Sequence, residues 1–239
     1  MPRRRFVVAI DGPAGAGKSA AARELARRLG IPYLDTGAMY RAVALAALEQ
    51  GIAFPLDEDG RRRVVELARM LHLRFVTKSS ETIVICNGED VTGRLRSPEV
   101  SQAASQVSVV PELRRVLVAR QREMGQRGGG VIEGRDIGTV VFPEADLKVF
   151  LTARPEVRAQ RRFDELRRRG VAVAWEDVMA EQRQRDERDA SREESPLRPA
   201  AGAIVLDTSD LTLEEVVGRL AELAARAGLP LDRSTLAHL

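Results

Sequence analysis

The strongest structural signal in the chain is Phe6-Val7-Val8-Ala9-Ile10-Asp11-Gly12-Pro13-Ala14-Gly15-Ala16-Gly17-Lys18-Ser19. Its first five residues form an unbroken apolar run, which is typical of a strand buried on both faces of a parallel sheet. Its second half fits Gly-x-x-x-x-Gly-Lys-[Ser/Thr], the pattern of a loop that wraps phosphate groups. A helical stripe follows, made of Ala22, Leu25, Ala26 and Leu29. Gly30 and Pro32 should end that helix.

The glycine-rich loop predicts binding of a nucleoside triphosphate. Its glycines allow backbone N–H groups to close around phosphate oxygens, and the following helix N-terminus adds a favourable dipole. Lys18 would reach the β- and γ-phosphates, and the Ser19 hydroxyl would coordinate Mg²⁺. We therefore expect the triphosphate to be bound by Gly12, Pro13, Ala14, Gly15, Ala16, Gly17, Lys18 and Ser19.

Strands alternate with helices along most of the chain, which predicts an α/β fold with a doubly wound parallel sheet. The expected strands are Phe6–Ile10, Tyr33–Leu34, Val131–Ile132, Leu147–Leu151 and Ile204–Leu206. The expected helices are Ser19–Leu29, Thr36–Leu48, Arg62–Leu71, Pro98–Val107, Pro111–Met124, Pro155–Arg169, Trp175–Arg188 and Leu213–Ala225.

One region interrupts this alternation with short strands. The segments Leu73–Val76, Thr82–Cys86 and Val91–Thr92 are separated by the turn sequences Lys78-Ser79-Ser80 and Asn87-Gly88. Short strands joined by such turns predict an antiparallel meander inserted into the α/β pattern.

The positive charge of the chain is carried almost entirely by arginine. Of 38 basic residues only Lys18, Lys78 and Lys148 are lysines, against 35 acidic residues, so the net charge is +3. The planar arginine fork suits phosphate groups. Acids and bases are interspersed and aromatic residues make up only 4%, too few for base-stacking platforms, so we expect no nucleic-acid partner.

A single cysteine, Cys86, excludes a disulfide framework and fits a reducing compartment. The apolar run after the basic start Met1–Arg5 is too short for a signal sequence, and no later apolar stretch is long enough to span a bilayer. We therefore expect a soluble cytoplasmic protein without a membrane partner. Its 239 residues are enough for one domain with an inserted lobe.

Polar motifs elsewhere favour a kinase among the possible P-loop proteins. A GTPase would need a guanine-reading Asn-Lys-x-Asp segment, which is absent, and Glu133 is a weak candidate for the acid of an ATPase motor. A kinase for a small phosphorylated acceptor must instead neutralise the charges of two polyanions, the triphosphate and the acceptor, while it holds them together. Arginines beside short polar motifs would supply that charge, namely Arg41, Arg135, Arg185, Arg188 and Arg192.

Several motifs resemble those of bacterial cytidylate kinases, which are P-loop nucleoside monophosphate kinases. In chain order they are Leu34-Asp35-Thr36-Gly37-Ala38-Met39-Tyr40-Arg41, Asn87-Gly88-Glu89-Asp90-Val91-Thr92, Ala103-Ala104-Ser105-Gln106-Val107, Gly134-Arg135-Asp136-Ile137-Gly138-Thr139-Val140-Val141-Phe142-Pro143 and Arg185-Asp186-Glu187-Arg188-Asp189. The departures are small: Thr36 stands where serine is also common, and Glu133 where aspartate often precedes Gly-Arg-Asp. The resemblance runs from Ala9 to about Asp207.

The resemblance implies transfer of phosphate from ATP, with Mg²⁺, to CMP and dCMP. It implies a three-layer P-loop fold with an inserted monophosphate-binding lobe at about residues 62–97 and a helical lid at about 154–190. Lys18, Arg135 and Arg188 would be catalytic. The acceptor would be bound by Thr36, Arg41, Ser105, Arg114, Arg135, Asp136, Arg185, Asp189 and Arg192. Within that set, Asp136, Ser105 and Arg114 would read the base, and Asp189 and Arg185 would hold the ribose.

Some alternatives stay open at this point. Arg158 and Arg162 are expected to contact the phosphates of ATP from the lid. For these two arginines and their neighbour Arg161, however, a position on a solvated helix face fits the sequence equally well. The chain could phosphorylate another small acceptor, or it could be a P-loop protein that binds nucleic acid through its basic surface. We expect a monomer.

Overall fold

The computed structural model describes residues 5–78 and 81–229, which form two compact units. One unit combines Met1–Tyr33 with Gly128–Leu239, and the other comprises Leu34–Arg127. The first contains the glycine-rich loop. In the two described ranges, no helix has the length and apolarity needed to cross a bilayer.

The first unit contains most of a five-stranded parallel sheet, which the sequence predicts. Its strands are β1 (Val7–Asp11), β2 (Tyr33–Asp35), β6 (Gly130–Glu133), β7 (Leu147–Thr152) and β8 (Ile204–Asp207). The strand order is β2-β6-β1-β7-β8, so β1 is central and pairs in parallel with β6 and β7. Because parallel strands end on one edge, the loops after β1 and β6 emerge side by side.

The described residues of this unit form four α-helices: α1 (Lys18–Leu29), α6 (Pro155–Arg168), α7 (Trp175–Ala190) and α8 (Leu213–Arg226). The core includes the fully buried side chains of Ile10, Leu25, Leu151 and Leu220, which bring α1 and α8 onto the sheet. Helix α8 begins with a capping box, in which the Thr212 hydroxyl is 2.7 Å from Glu215 Oε2 and accepts from the Glu215 N–H.

Helices α6 and α7 form a hairpin with a small hydrophobic cluster of its own. Ala159, Leu166 and Val178 are buried in it. The rings of Phe163 and Trp175 meet edge to face, with centroids 5.9 Å apart. Burial of apolar surface inside the hairpin stabilises it independently of the main core.

In the second unit, the part that the structure describes contains four α-helices and the small antiparallel sheet that the sequence predicts. The helices are α2 (Thr36–Glu49), α3 (Glu58–Met70), α4 (Pro98–Val107) and α5 (Pro111–Gly128), with a 3₁₀ turn at Arg94–Arg96. Met39, Val43, Leu113 and Leu117 are completely buried in its core. The sheet has the order β3 (Leu73–Lys78), β4 (Glu81–Cys86), β5 (Glu89–Asp90).

The position expected for the third strand of the meander is wrong. Asn87 and Gly88 both have positive φ and make a two-residue turn, so β5 starts at Glu89 rather than Val91. Val91 and Thr92 still face β4, because the Val91 N–H donates to Val84 and the Thr92 hydroxyl accepts from the Val84 N–H. The other turn sequence, Lys78-Ser79-Ser80, falls partly outside the described residues.

Two further features differ from the sequence expectation. Helix α3 begins about one turn before Arg62, because the Asp57 side chain accepts from the Gly60 N–H at 2.7 Å and caps the helix there. A π-helical turn at Ile137–Val141 follows β6 and was not expected. The remaining helices and strands lie where the sequence predicts them.

The loop after β1 depends on a glycine that tolerates no side chain. Gly12 has φ +145°, and a Cβ added there would lie 2.0 Å from the Leu151 carbonyl oxygen. We expect Gly12→Ala to lose at least about 3 kcal/mol of unfolding free energy, or not to fold, because backbone atoms of β7 must move. Urea unfolding of the purified variant measures this loss.

Gly30, the C-cap of α1, provides the matched control. It also has positive φ, +62°, but no atom lies within 4 Å of a Cβ added there. Gly30→Ala should therefore cost only the backbone strain, about 1 kcal/mol. Equal losses in the two variants would contradict the crowding argument.

Candidate active site

The glycine-rich loop connects β1 to α1 through three glycines with positive φ, Gly12, Gly15 and Gly17. Gly17 is the N-cap of α1, so the free N–H groups of the first helical turn lie at the end of the loop. No acidic side chain occupies that first turn. The loop therefore has the backbone conformation and the polarity of an anion site.

Lys18 is the first residue of α1 and is 94% buried. Its Nζ donates to the carbonyl oxygen of Pro13 at 2.7 Å, across the loop. Burial holds the pKa of Lys18 well below its usual range, and the charge of Arg135 lowers this pKa further. The ammonium group is thus held inside the loop.

Ser19 is connected to the end of β6. Its Oγ donates to Glu133 Oε2 at 3.0 Å, and the Tyr33 hydroxyl donates to the other carboxylate oxygen, Oε1. Glu133 is only 3% exposed. A hydroxyl and a carboxylate supply the oxygen ligands that Mg²⁺ prefers, so these two residues fit that ion.

Asp11, the last residue of β1, holds the loop that follows β6. Its buried carboxylate accepts from the backbone N–H of Ile137 at 2.8 Å and of Gly138 at 2.7 Å. Burial raises the pKa of Asp11 to about 6, although both hydrogen bonds lower it. These bonds begin the π-helical turn and fix the adjacent Arg135 and Asp136.

Arg135 and Asp136 lie side by side but have different surroundings. Arg135 donates from Nε to Asp189 Oδ2 at 2.8 Å and is partly exposed. Asp136 is 4% exposed, and its backbone carbonyl accepts from the N–H groups of Val140 and Val141. Asp136 therefore begins the π-helical turn with its side chain inside the protein.

Asp189 is the buried acid of an arginine cluster. Its second oxygen, Oδ1, pairs with Arg192, so one carboxylate holds two guanidinium groups. Burial raises the pKa of Asp189, but the charges of Arg135, Arg192 and Arg185 outweigh burial and hold this pKa at about 2. Asp189 remains ionised at neutral pH as the partner of these arginines.

The solvated-face alternative is wrong for Arg158, which is 95% buried. Its guanidinium donates to the carbonyl oxygen of Ala14 in the glycine-rich loop at 3.1 Å and pairs with Asp186 of α7 at 2.7 Å. Gln182 also donates to Ala14, at 3.2 Å. Both helices of the hairpin therefore contact the loop.

The other arginines of the hairpin have different partners. Arg161 donates to the side-chain and backbone oxygens of Thr208 at 2.9 and 2.6 Å, and the Thr208 hydroxyl lies 3.1 Å from the carbonyl of Ala16. Arg162 pairs with Glu165 within α6. Arg188 donates to the backbone and side-chain oxygens of Gln184, one turn earlier in α7.

The second unit contains two further groups of predicted residues. Asp35 caps α2 by accepting from the Ala38 N–H at 2.9 Å, and it pairs with Arg41 at 2.6 Å. Thr36, the first residue of α2, is buried beside them. The N-terminus of α2 thus brings together the Thr36 hydroxyl and the Arg41 guanidinium.

Ser105 and Arg114 are both buried and are joined through Ser108. The Ser108 hydroxyl donates to the Ser105 carbonyl at 2.8 Å, and Arg114 donates to the Ser108 carbonyl at 3.1 Å. The Arg114 guanidinium also lies over the Tyr40 ring, 5.5 Å from its centroid. The arrangement forms one polar cluster between α2, α4 and α5.

The site has further contacts that the sequence did not predict, made by Asp11, Tyr33, Gln182, Thr208 and, beside the loop, Arg161. Asp186 belongs to a predicted motif, but its pairing with Arg158 was not predicted. Asp11 carried a usable signal, because a carboxylate directly after a buried strand requires hydrogen-bond partners. The others had no such signal, since their partners are distant in sequence.

A parallel sheet, a glycine-rich loop before α1, and a buried lysine within that loop define a P-loop α/β protein. The sequence profile of the family described as "Cytidylate kinase" matches residues 8–226. The chain belongs to the cytidylate kinase family.

Relatives include two proteins named cytidylate kinase. One, from Solibacter usitatus, is 48% identical over 216 residues, which are 90% of each chain. The other, from Carboxydothermus hydrogenoformans, is 47% identical and covers 92% of this chain and 97% of its own. A bifunctional pantoate ligase/cytidylate kinase from a Synechococcus strain is 48% identical over the whole chain, which spans only 43% of that relative's length.

The Asp189 cluster predicts a pH-dependent stability. Because the pKa of Asp189 is lower in the folded than in the unfolded protein, its ionised form stabilises the fold above about pH 4 and this contribution disappears as pH falls towards 2. Asp189→Asn should lose about 2 kcal/mol or more of unfolding free energy at pH 7. In urea titrations, the difference in unfolding free energy between Asp189→Asn and the wild type should become smaller as the pH falls from 4 to 2.

Asp210 offers a matched control, because it is an exposed acid paired with Arg154 at 2.6 Å. Solvent screens this pair, so Asp210→Asn should change the unfolding free energy little at any pH. An Asp189→Asn variant that unfolds at wild-type urea concentrations would contradict the proposed stabilisation.

Proposed function

We propose that this chain transfers the γ-phosphoryl group of ATP to CMP and dCMP, producing CDP and dCDP. One observation carries the proposal: Lys18, the Ser19–Glu133 pair and the Arg135–Asp189–Arg192 cluster all belong to one unit of a cytidylate kinase family member. Phosphoryl transfer needs positioning and charge neutralisation, which lysine and arginines provide.

The eight residues of the glycine-rich loop bind the phosphates of ATP in this proposal. Lys18 neutralises charge on the transferring group, and Ser19 with Glu133 would hold Mg²⁺. When bound, Mg²⁺ supplies further neutralisation of phosphate charge. The acceptor phosphate oxygen is already an anion, so no catalytic base is required.

Arginines act on the acceptor side. Arg135 and Arg188 would neutralise charge during transfer, while Thr36, Arg41, Arg135 and Arg192 would hold the α-phosphate. Asp189 and Arg185 would bind the ribose. Because the Asp189 carboxylate already contacts two guanidinium groups, it would also keep those arginines in position.

The base would be read by Asp136, Ser105 and Arg114. Cytosine presents an amino donor at N4 and acceptors at N3 and O2, which suit a carboxylate and donor groups respectively. The burial of Asp136 supports this role, since discrimination is greatest where an unmatched polar group is desolvated.

Two segments would close on the substrates and exclude water. One is the monophosphate-binding lobe at about residues 62–97, and the other is a lid at about 154–190 that contains the α6–α7 hairpin. Arg158 and Arg162 would contact ATP from the lid. The bond from Arg158 to the Ala14 carbonyl supports that role.

We also propose that the protein acts as a cytoplasmic monomer, with no nucleic-acid or membrane partner. The single cysteine and the interspersed charges support this proposal. A salt-dependent gel shift with duplex or single-stranded DNA would overturn the part that concerns nucleic acid.

A coupled assay of ADP release across nucleoside monophosphates tests the proposed function. CMP and dCMP should give far more ADP than UMP, AMP or GMP. Lys18→Met is the control, and its kcat should fall at least about a hundredfold because a transition-state charge is removed. A different preferred acceptor, or near-wild-type turnover by Lys18→Met, would refute the assignment.

Asp136→Asn tests base selection. The carboxylate accepts only, so it matches the cytosine amino group and opposes uracil O4, whereas an amide offers a donor to O4. We expect kcat/KM for CMP to fall and that for UMP to be relatively spared, so that their ratio narrows at least about tenfold. If both substrates lose equally, Asp136 positions Arg135 instead of reading the base.

A further inference from the structure

Tyr33, the first residue of β2, contacts the metal-binding side of the glycine-rich loop without belonging to any predicted motif. Its hydroxyl donates to Oε1 of Glu133, on the adjacent strand β6. Its ring is buried, and the guanidinium of Arg23 from α1 lies 5.7 Å from the ring centroid. The ring is therefore held from the helix side while the hydroxyl reaches the sheet.

The two oxygens of Glu133 are thereby assigned to different donors. Tyr33 donates to Oε1, and Ser19 donates to Oε2 at 3.0 Å. A glutamate side chain has several rotatable bonds, and fixing them costs conformational entropy that a hydrogen bond to the carboxylate can offset. Tyr33 provides that hydrogen bond, so Oε2 stays directed at Ser19.

The orientation of the Ser19 hydroxyl follows from this arrangement. A hydroxyl has one hydrogen to donate and two lone pairs to offer. Because the hydrogen of Ser19 goes to Glu133, both lone pairs remain available to a cation. Release of Glu133 would let the hydroxyl rotate and would weaken its use as a metal ligand.

We propose that Tyr33 is a positioning residue for metal binding: it holds Glu133 so that Ser19 presents its oxygen to the Mg²⁺ that accompanies a nucleoside triphosphate. The inference rests on the proposed binding of ATP at the loop, but not on the identity of the acceptor. Loss of the Tyr33 hydroxyl should therefore reduce the gain in ATP affinity that Mg²⁺ gives. If Tyr33 were only structural, its loss would change ATP affinity equally with and without Mg²⁺.

Tyr33→Phe tests the inference, because it keeps the ring under Arg23 and removes only the hydroxyl. The affinity for ATP is measured by calorimetry with the full chain, once in excess Mg²⁺ and once in EDTA. The gain in affinity that Mg²⁺ gives the wild type should shrink at least about fivefold, while the affinity in EDTA stays within about twofold.

Two further variants make the measurement specific. Ser19→Ala should lose most of the Mg²⁺-dependent gain, and adding Tyr33→Phe to it should have little further effect, because both act through one contact. Thr212→Ala is the matched control. It removes another hydroxyl-to-glutamate hydrogen bond of the same unit, in the α8 capping box, and should leave both affinities unchanged.

An equal loss of affinity in Mg²⁺ and in EDTA, or no loss in either, would overturn the inference. Additive effects of Tyr33→Phe and Ser19→Ala would overturn it as well. Failure of the proposed function is recognised separately: a wild type that binds ATP with normal Mg²⁺ dependence but does not phosphorylate CMP refutes only the acceptor.

Discussion

The buried carboxylate of Asp11 is the constraint on which the polar groups around the glycine-rich loop depend. It ends the central strand and accepts hydrogen bonds from two backbone N–H groups of the turn after β6, so this side chain fixes that turn to the end of β1. Its pKa of about 6 means that the charged form needed for both bonds predominates at neutral pH. Arg135 and Asp136, the residues just before that turn, take their positions from it.

Ion pairs connect Arg135 to the neighbouring charged residues. The carboxylate of Asp189 holds Arg135 and Arg192 together, although like charges would otherwise repel. One acid thus balances two guanidinium groups, which we propose bind the acceptor phosphate. For that role the cluster would already be organised, so binding would require little rearrangement.

Local sequence patterns predicted the sheet, the glycine-rich loop and most helices, because the spacing of apolar residues along a strand or helix depends on which of its faces is buried. They failed where partners are distant in sequence. The π-helical turn at Ile137 depends on Asp11, 126 residues away, and the burial of Arg158 depends on Ala14, 144 residues away. The misplaced third strand had a local cause: beyond β5, the Val91 N–H still donates to Val84, but the Val84 N–H donates to the Thr92 hydroxyl instead of to the main chain.

The crowding at Gly12 also limits how this chain can evolve. Every amino acid other than glycine has a Cβ, and the Leu151 carbonyl oxygen occupies the place where that atom would go. Hence no missense mutation at Gly12 is conservative, whatever the chemistry of the new side chain. Selection would remove all such alleles alike, whereas at Gly30 the open space leaves only the backbone strain, so some alleles could persist.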